Sequence, residues 1–200
     1  MPTIGITGGV ATGKSTFRRL LLDSIDADFF DADACARELL DSNEAIREQV
    51  IENISPDAYS KSGHPNRHLI REIIYNDIAK KKTLEGILHP RIRERWTARA
   101  KDSATHARMF VVDIPLLFET RAESLFDHVI VVAATEETQL ARMTGTRKLP
   151  DDLARKILAS QWSLQVKMRG AAHVVWNDAG LDLLESQAAL LAAYLRHKYD

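Results

Sequence analysis

The chain has 200 residues, 27 Lys and Arg against 28 Asp and Glu, a formal net charge of −1 and one cysteine, Cys35. This length suits one domain with room for an inserted subdomain. The balanced charge leaves no electrostatic footprint for nucleic acid, a lone cysteine excludes an intramolecular disulfide, and no apolar run approaches the ~20 residues of a membrane span.

The first strand is expected at Thr3–Thr7, and residues 8 to 16 follow it as Gly8-Gly9-Val10-Ala11-Thr12-Gly13-Lys14-Ser15-Thr16. Gly8, Gly13, Lys14 and Ser15 fill the phosphate-loop pattern GxxxxGK[ST]. The pattern stands where it must, between an apolar strand and a helical run over Lys14–Asp23. Glycines let successive backbone N–H groups turn toward phosphate oxygens, and the next helix faces them with its positive dipole end. Lys14 is thereby placed for the β- and γ-phosphates of a nucleotide and the Ser15 hydroxyl for Mg²⁺. Met1-Pro2-Thr3 leads straight into the strand without space for a signal peptide, so a reduced, soluble, cytoplasmic protein is expected.

Four further strands are predicted at Asp28–Asp31, Met109–Asp113, His128–Ala133 and His173–Trp176. Helical patterns fall at Ala32–Leu40, Glu44–Glu52, Asn66–Ile87, Arg91–Asp102, Glu136–Met143, Asp151–Ser160 and Leu181–Tyr199. The alternation predicts an α/β fold: a P-loop NTPase-like, doubly wound, parallel five-stranded sheet that binds ligands at the carboxyl ends of its strands. The helical stretch 35–105 exceeds one crossover and reads as a substrate insert, and 140–170 reads as a lid around the turn-rich Thr144–Pro150. The core then comprises 1–34, 106–139 and 171–200. Lys80-Lys81-Lys82 reads as a solvated helix end.

Polar residues stand at the expected strand tips. Asp31 and Asp33 close the second strand and Asp113 the third. A carboxylate there can take a proton from an acceptor hydroxyl, hold a metal directly or through water, or cap the following helix. Arg142, Arg147 and Lys148 supply positive charge on the lid, where closure would bring it over a transferring phosphate and exclude water.

Taken together, the motifs resemble the dephospho-coenzyme A kinase family. The likeness runs through Thr7-Gly8-Gly9, Gly13-Lys14-Ser15-Thr16, Asp31-Ala32-Asp33, Leu88-His89-Pro90, Asp113-Ile114-Pro115-Leu116-Leu117-Phe118-Glu119, Gln139, Arg142, Gln161, Lys167 and Asn177. It covers nearly the whole chain in the family's order. The resemblance implies transfer of the ATP γ-phosphoryl group to the ribose 3′-hydroxyl of dephospho-coenzyme A, with Mg²⁺. It implies Asp33 as general base beside Asp31, and Lys14 and Arg142 as stabilisers of the transferring group. Residues Gly9–Thr16, Arg142 and Asn177 would hold ATP, with Asn177 near the adenine. Thr7, Asp31, Asp33, Arg67, His89, Pro115 and Leu116 would hold the acceptor. A monomer or weak homo-oligomer is expected, without nucleic acid or membrane as partner.

Three departures from the family pattern stand out. Ala11 occupies a place where glycine is usual, and Asn66 replaces an acidic residue that often precedes the arginine at 67. A second lid arginine commonly follows the first by four residues; here that place is Thr146, and Arg147 would sit about 100° around an α-helix from the expected face. The core motifs alone also allow a kinase acting on a nucleoside, a nucleoside monophosphate or a shikimate-like alcohol, against which the HP and PLLFE segments argue. A nucleotide-dependent switch is a further alternative, but a guanine-specific NKxD stretch is absent from the sequence.

Overall fold

Parallel strands β1 (Thr3–Gly8), β2 (Ala27–Asp31), β3 (Met109–Asp113), β4 (His128–Ala133) and β5 (His173–Trp176) pair in the order β2-β3-β1-β4-β5. They belong to a computed structural model that describes residues 1–103 and 109–199. The strand order reverses at β1, whose neighbours are β3 and β4, so its carboxyl end is the topological switch point. Residues alternate between faces with period two. Ile4 and Ile6 of β1 join Ile130 and Val132 of β4 beneath Phe17 and Leu21 in one cluster. Val129, Val131 and Ala133 face the other side with Leu117 and Phe118. Each of these side chains is at most 5% exposed, which accounts for the unbroken apolar runs of the central strands.

By internal contacts the chain divides into two compact units, Met1–Asp31 with Arg99–Asp200, and Ala32–Ala98. The expected insert-to-core boundary at 105/106, and Asp200, lie outside the described residues. The first unit carries the sheet with helices α1 (Lys14–Leu22), α6 (Glu136–Ala141), α7 (Asp151–Ala159), α8 (Leu164–Arg169) and α9 (Leu181–Tyr199). The second carries α2 (Ala32–Ser42), α3 (Glu44–Asn53), α4 (Arg67–Asn76) and most of α5 (Ile78–Ser103). Among the described residues no helix is long and apolar enough to cross a membrane.

The helical insert departs from the sequence reading at two places. The expected break at His89-Pro90 is absent, and α5 runs through Pro90. Leu84, Leu88, Ile92 and Trp96 are all buried at four-residue spacing on either side of the proline. Burial of that stripe outweighs the ~3 kcal/mol that an internal proline costs. The chain breaks instead at Asp77, which is extended and whose Oδ1 accepts from the N–H groups of Ala79 (2.9 Å) and Lys80 (3.0 Å). Lys80–Lys82 therefore lie at a helix end, the start of α5, but are not all solvated: Lys80 and Lys81 are half-buried, and the Lys80 ammonium donates to the Ile54 carbonyl.

Candidate active site

The phosphate loop fills the switch point at the end of β1. Gly13 has φ +87°, a conformation that side chains avoid, and a Cβ there would overlap the Asn177 side-chain amide. A Cβ on Gly8 would overlap the Val132 carbonyl of the neighbouring strand. The loop closes on itself through Thr12, which is fully buried and donates from Oγ1 to the Gly9 carbonyl at 3.0 Å. Ala11 takes φ +57°, so the position where the family usually has glycine keeps the left-handed backbone despite its methyl group. Ser15 is exposed in the first turn of α1.

Charge gathers at the tips of β2 and β3. Asp31 and Asp113 are register partners. The Arg18 guanidinium donates to both, at 3.0 Å to Asp31 and 2.9 Å to Asp113, and lies 4.7 Å from the Phe29 ring centroid. Lys14 pairs with the other oxygen of Asp113, which is 2% exposed. Sequence reasoning passed over Arg18. Its signal is the spacing of four from Lys14, which puts both cations on one face of α1.

Over the loop, Arg142 donates to the carbonyls of Asn177 (2.9 Å) and Ala11 (3.3 Å). The Asn177 amide donates to the Thr12 carbonyl at 2.8 Å. A cavity of about 380 Å³ opens beside them, lined among others by Gly13, Arg142, Thr146, Arg147, Asn177 and Leu181. Arg147 reaches it through a local change of helix. Arg142–Thr146 is a π turn in which the Arg147 N–H donates to the Arg142 carbonyl at 3.2 Å. A π turn takes up one extra residue, so the one-residue offset that would carry Arg147 to another face of an α-helix is absorbed.

The segment after β3 is held from below. Thr7 is fully buried and donates to the Pro115 carbonyl at 3.0 Å. Pro115 and Leu116 are half-buried. Gln161 and Trp162 lead into α8, a helix the sequence reading omitted, whose N-cap Ser163 accepts from Val166. Within the second unit, Asp33 does not close β2, which ends at Asp31, but is exposed in the first turn of α2, where a carboxylate suits the positive end of the helix dipole. Arg67 opens α4, where Asn66 is the N-cap and accepts from Leu69 at 3.2 Å. The acidic partner that Asn66 does not supply is Asp41, paired with Arg67. His89 is half-buried inside α5, and burial, aided by Arg93, lowers its pKa.

A phosphate loop at the switch point, two carboxylates at adjacent strand tips and arginines over a nucleotide-sized cavity define a P-loop kinase. Shikimate kinase from Acinetobacter baumannii, solved with shikimate, shares this fold at TM-score 0.54 and 14% identity, covering all of this chain and 96% of its own. More specific matches divide that class. The dephospho-CoA kinase family model matches residues 2–182. Dephospho-CoA kinases from Hahella chejuensis (31% identity; 96% of this chain, 90% of theirs) and Bacillus cereus (34%; 88% of each) align over nearly full length. The solved dephospho-CoA kinase from Campylobacter jejuni superimposes at TM-score 0.71 with 27% identity, covering 98% of both chains. The chain belongs to the dephospho-CoA kinase family, ATP-dependent kinases that complete coenzyme A synthesis.

Proposed function

We propose that this chain transfers the γ-phosphoryl group of ATP to the ribose 3′-hydroxyl of dephospho-coenzyme A through the residues assembled around the phosphate loop. The observation that carries the reading is the convergence of Lys14, Arg18, Asp31 and Asp113 at the switch point, with Arg142 closing over the loop. Backbone N–H groups of residues 9–16 would receive the phosphates, and the cavity beside Asn177 the base and ribose. Lys14 is held by Asp113, and entering phosphates would compete for its ammonium. Arg142 and Arg147 would neutralise charge on the transferring group, which a loose transition state spreads over its oxygens.

Asp33 would accept the proton of the acceptor hydroxyl, and Asp31, held by Arg18, would assist it or cap the following helix. Arg67, His89, Pro115 and Leu116 would line the acceptor site, with Thr7 acting through its bond to Pro115. The hydroxyl of Ser15 and the carboxylates of Asp31 and Asp113 are hard oxygen donors that suit Mg²⁺. Bound there by Ser15, and by the carboxylates through water, Mg²⁺ would offset phosphate charge. The enzyme would work in the cytoplasm as a monomer or weak homo-oligomer, without nucleic acid or membrane.

Incubation with ATP, Mg²⁺ and dephospho-coenzyme A, read by mass spectrometry, tests the reading. Coenzyme A should appear, and a Lys14→Ala control should yield none. Phosphorylation of a nucleoside monophosphate instead would keep the kinase and discard the acceptor.

A further inference from the structure

Among the described residues one ammonium is buried completely. Lys167, on α8, is 0% exposed, and its Nζ meets three acceptors: Glu119 Oε1 at 2.8 Å, the Gly8 carbonyl at 3.2 Å and the Pro115 carbonyl at 3.5 Å. Burying a charge is costly unless it is paired and hydrogen-bonded, and this one is both. Glu119 Oε1 also accepts the Trp162 N–H at 3.0 Å, while its Oε2 is buried and accepts no hydrogen bond among the described residues. One lysine thus ties together the first residue of the phosphate loop, the segment after β3 and the chain entering α8.

The target of the ammonium within the loop is specific. Gly8 and Gly9 flank one peptide group, and neither residue has a Cβ that would by itself fix that group's orientation. In a planar trans peptide the C=O of Gly8 and the N–H of Gly9 point in opposite directions. A cation that holds the carbonyl on one side therefore aims the N–H to the other. We infer that Lys167 is a positioning residue that pre-orients the Gly8–Gly9 peptide for phosphate, with Glu119 as the counter-charge that makes its burial possible. The inference rests on the phosphate-loop reading above. It requires that Lys167 act on the phosphates of the nucleotide and not on the base.

The test compares ATP with adenosine in Lys167→Met, which keeps the stem and removes the ammonium, and in Lys167→Met/Glu119→Gln, which also removes the stranded carboxylate. Affinity for ATP should fall about tenfold or more, the scale of a lost charge-assisted hydrogen bond, while adenosine affinity stays at the wild-type value. An equal fall for both ligands, or no fall for either, overturns the assignment. A measurement on the unaltered protein covers variants that fail to fold: the Gly9 amide should give one sharp ¹⁵N resonance that shifts on adding ATP. A resonance broadened by exchange between two peptide orientations also overturns it. If the unaltered protein does not bind ATP, the phosphate-loop reading itself fails, and the two failures remain distinct.

Discussion

The Arg147 N–H donates to the Arg142 carbonyl at 3.2 Å, and this single π-type bond brings both arginines to the same cavity. The turn between them includes Gly145, around which a Cβ would meet open space. Deleting Gly145 should convert the π turn to an α turn and leave the arginines four apart on one face. Turnover in that deletion variant should stay within about threefold of wild type, while Arg147→Ala should lose about tenfold, the worth of one charged contact. Steady-state kinetics with ATP varied decide the matter. A deletion more damaging than Arg147→Ala would show that the π turn does more than set the register.

Gly13 and Asn177 are a second close pair. Gly13→Ala places a methyl group both in a disfavoured backbone region and against the Asn177 amide. ATP binding, measured by calorimetry, should be lost in Gly13→Ala. Asn177→Ala added to it should recover part of the binding, because the overlap is relieved although the strain at φ +87° remains.

Arg18 holds two carboxylates that would otherwise repel across adjacent strands. Arg18→Ala should lower stability by about 2 kcal/mol, less than the 3–5 typical of a broken buried pair, because Arg18 is itself 23% exposed. Turnover should fall with it as Asp31 and Asp113 lose their common anchor. Arg18→Lys should recover stability in part but cannot donate to both acids in the same planar geometry. Chemical denaturation and kcat, measured on both variants, give the comparison.

Asp33→Asn should reduce kcat by about 10²-fold or more while ATP affinity is unchanged, since a general base acts after the nucleotide has bound. Near-normal turnover would remove Asp33 from the mechanism and return it to the first turn of α2 as a residue favoured by the helix dipole.

At the opposite ends of the strands, His128 and His173 touch through ring nitrogens at 3.1 Å, and His128 Nε2 meets Tyr199 Oη at 2.7 Å and Lys198 Nζ at 3.2 Å. Burial, then the charge of Lys198, lowers the pKa of both histidines; for His128 the pair itself lowers it further and Asp127 opposes. A histidine whose folded pKa lies below its unfolded value is protonated more readily in the unfolded chain. The stabilising effect of the neutral pair is therefore complete above about pH 6.5 and is lost as pH falls toward the folded values. Thermal melts from pH 8 to 5 should show a steeper fall for the wild type than for His128→Gln/His173→Gln, and parallel curves would contradict this.

The phosphate loop, the five strands and the acidic strand tips were legible in the sequence because their signals are local. Glycine spacing, β-branched runs and a carboxylate closing a strand each declare themselves within about ten residues. The helical insert was less legible. Proline at 90 signals a break, yet the apolar stripe through it is strong enough to keep the helix whole, and the real break at Asp77 depends on one side chain capping the next turn.

What the sequence alone determined is the chemistry that the loop can bind and the order in which strands and helices alternate. Only the tertiary structure decided which partners share a charge or a carbonyl. Arg18 meets Asp113 across 95 residues of chain, Lys167 meets Gly8 across 159, and Asn177 meets Thr12 across 165. The physical reason is that such contacts depend on parallel strands returning to a common edge through long crossovers. Nothing within a short window of sequence records which side chains that return will bring together.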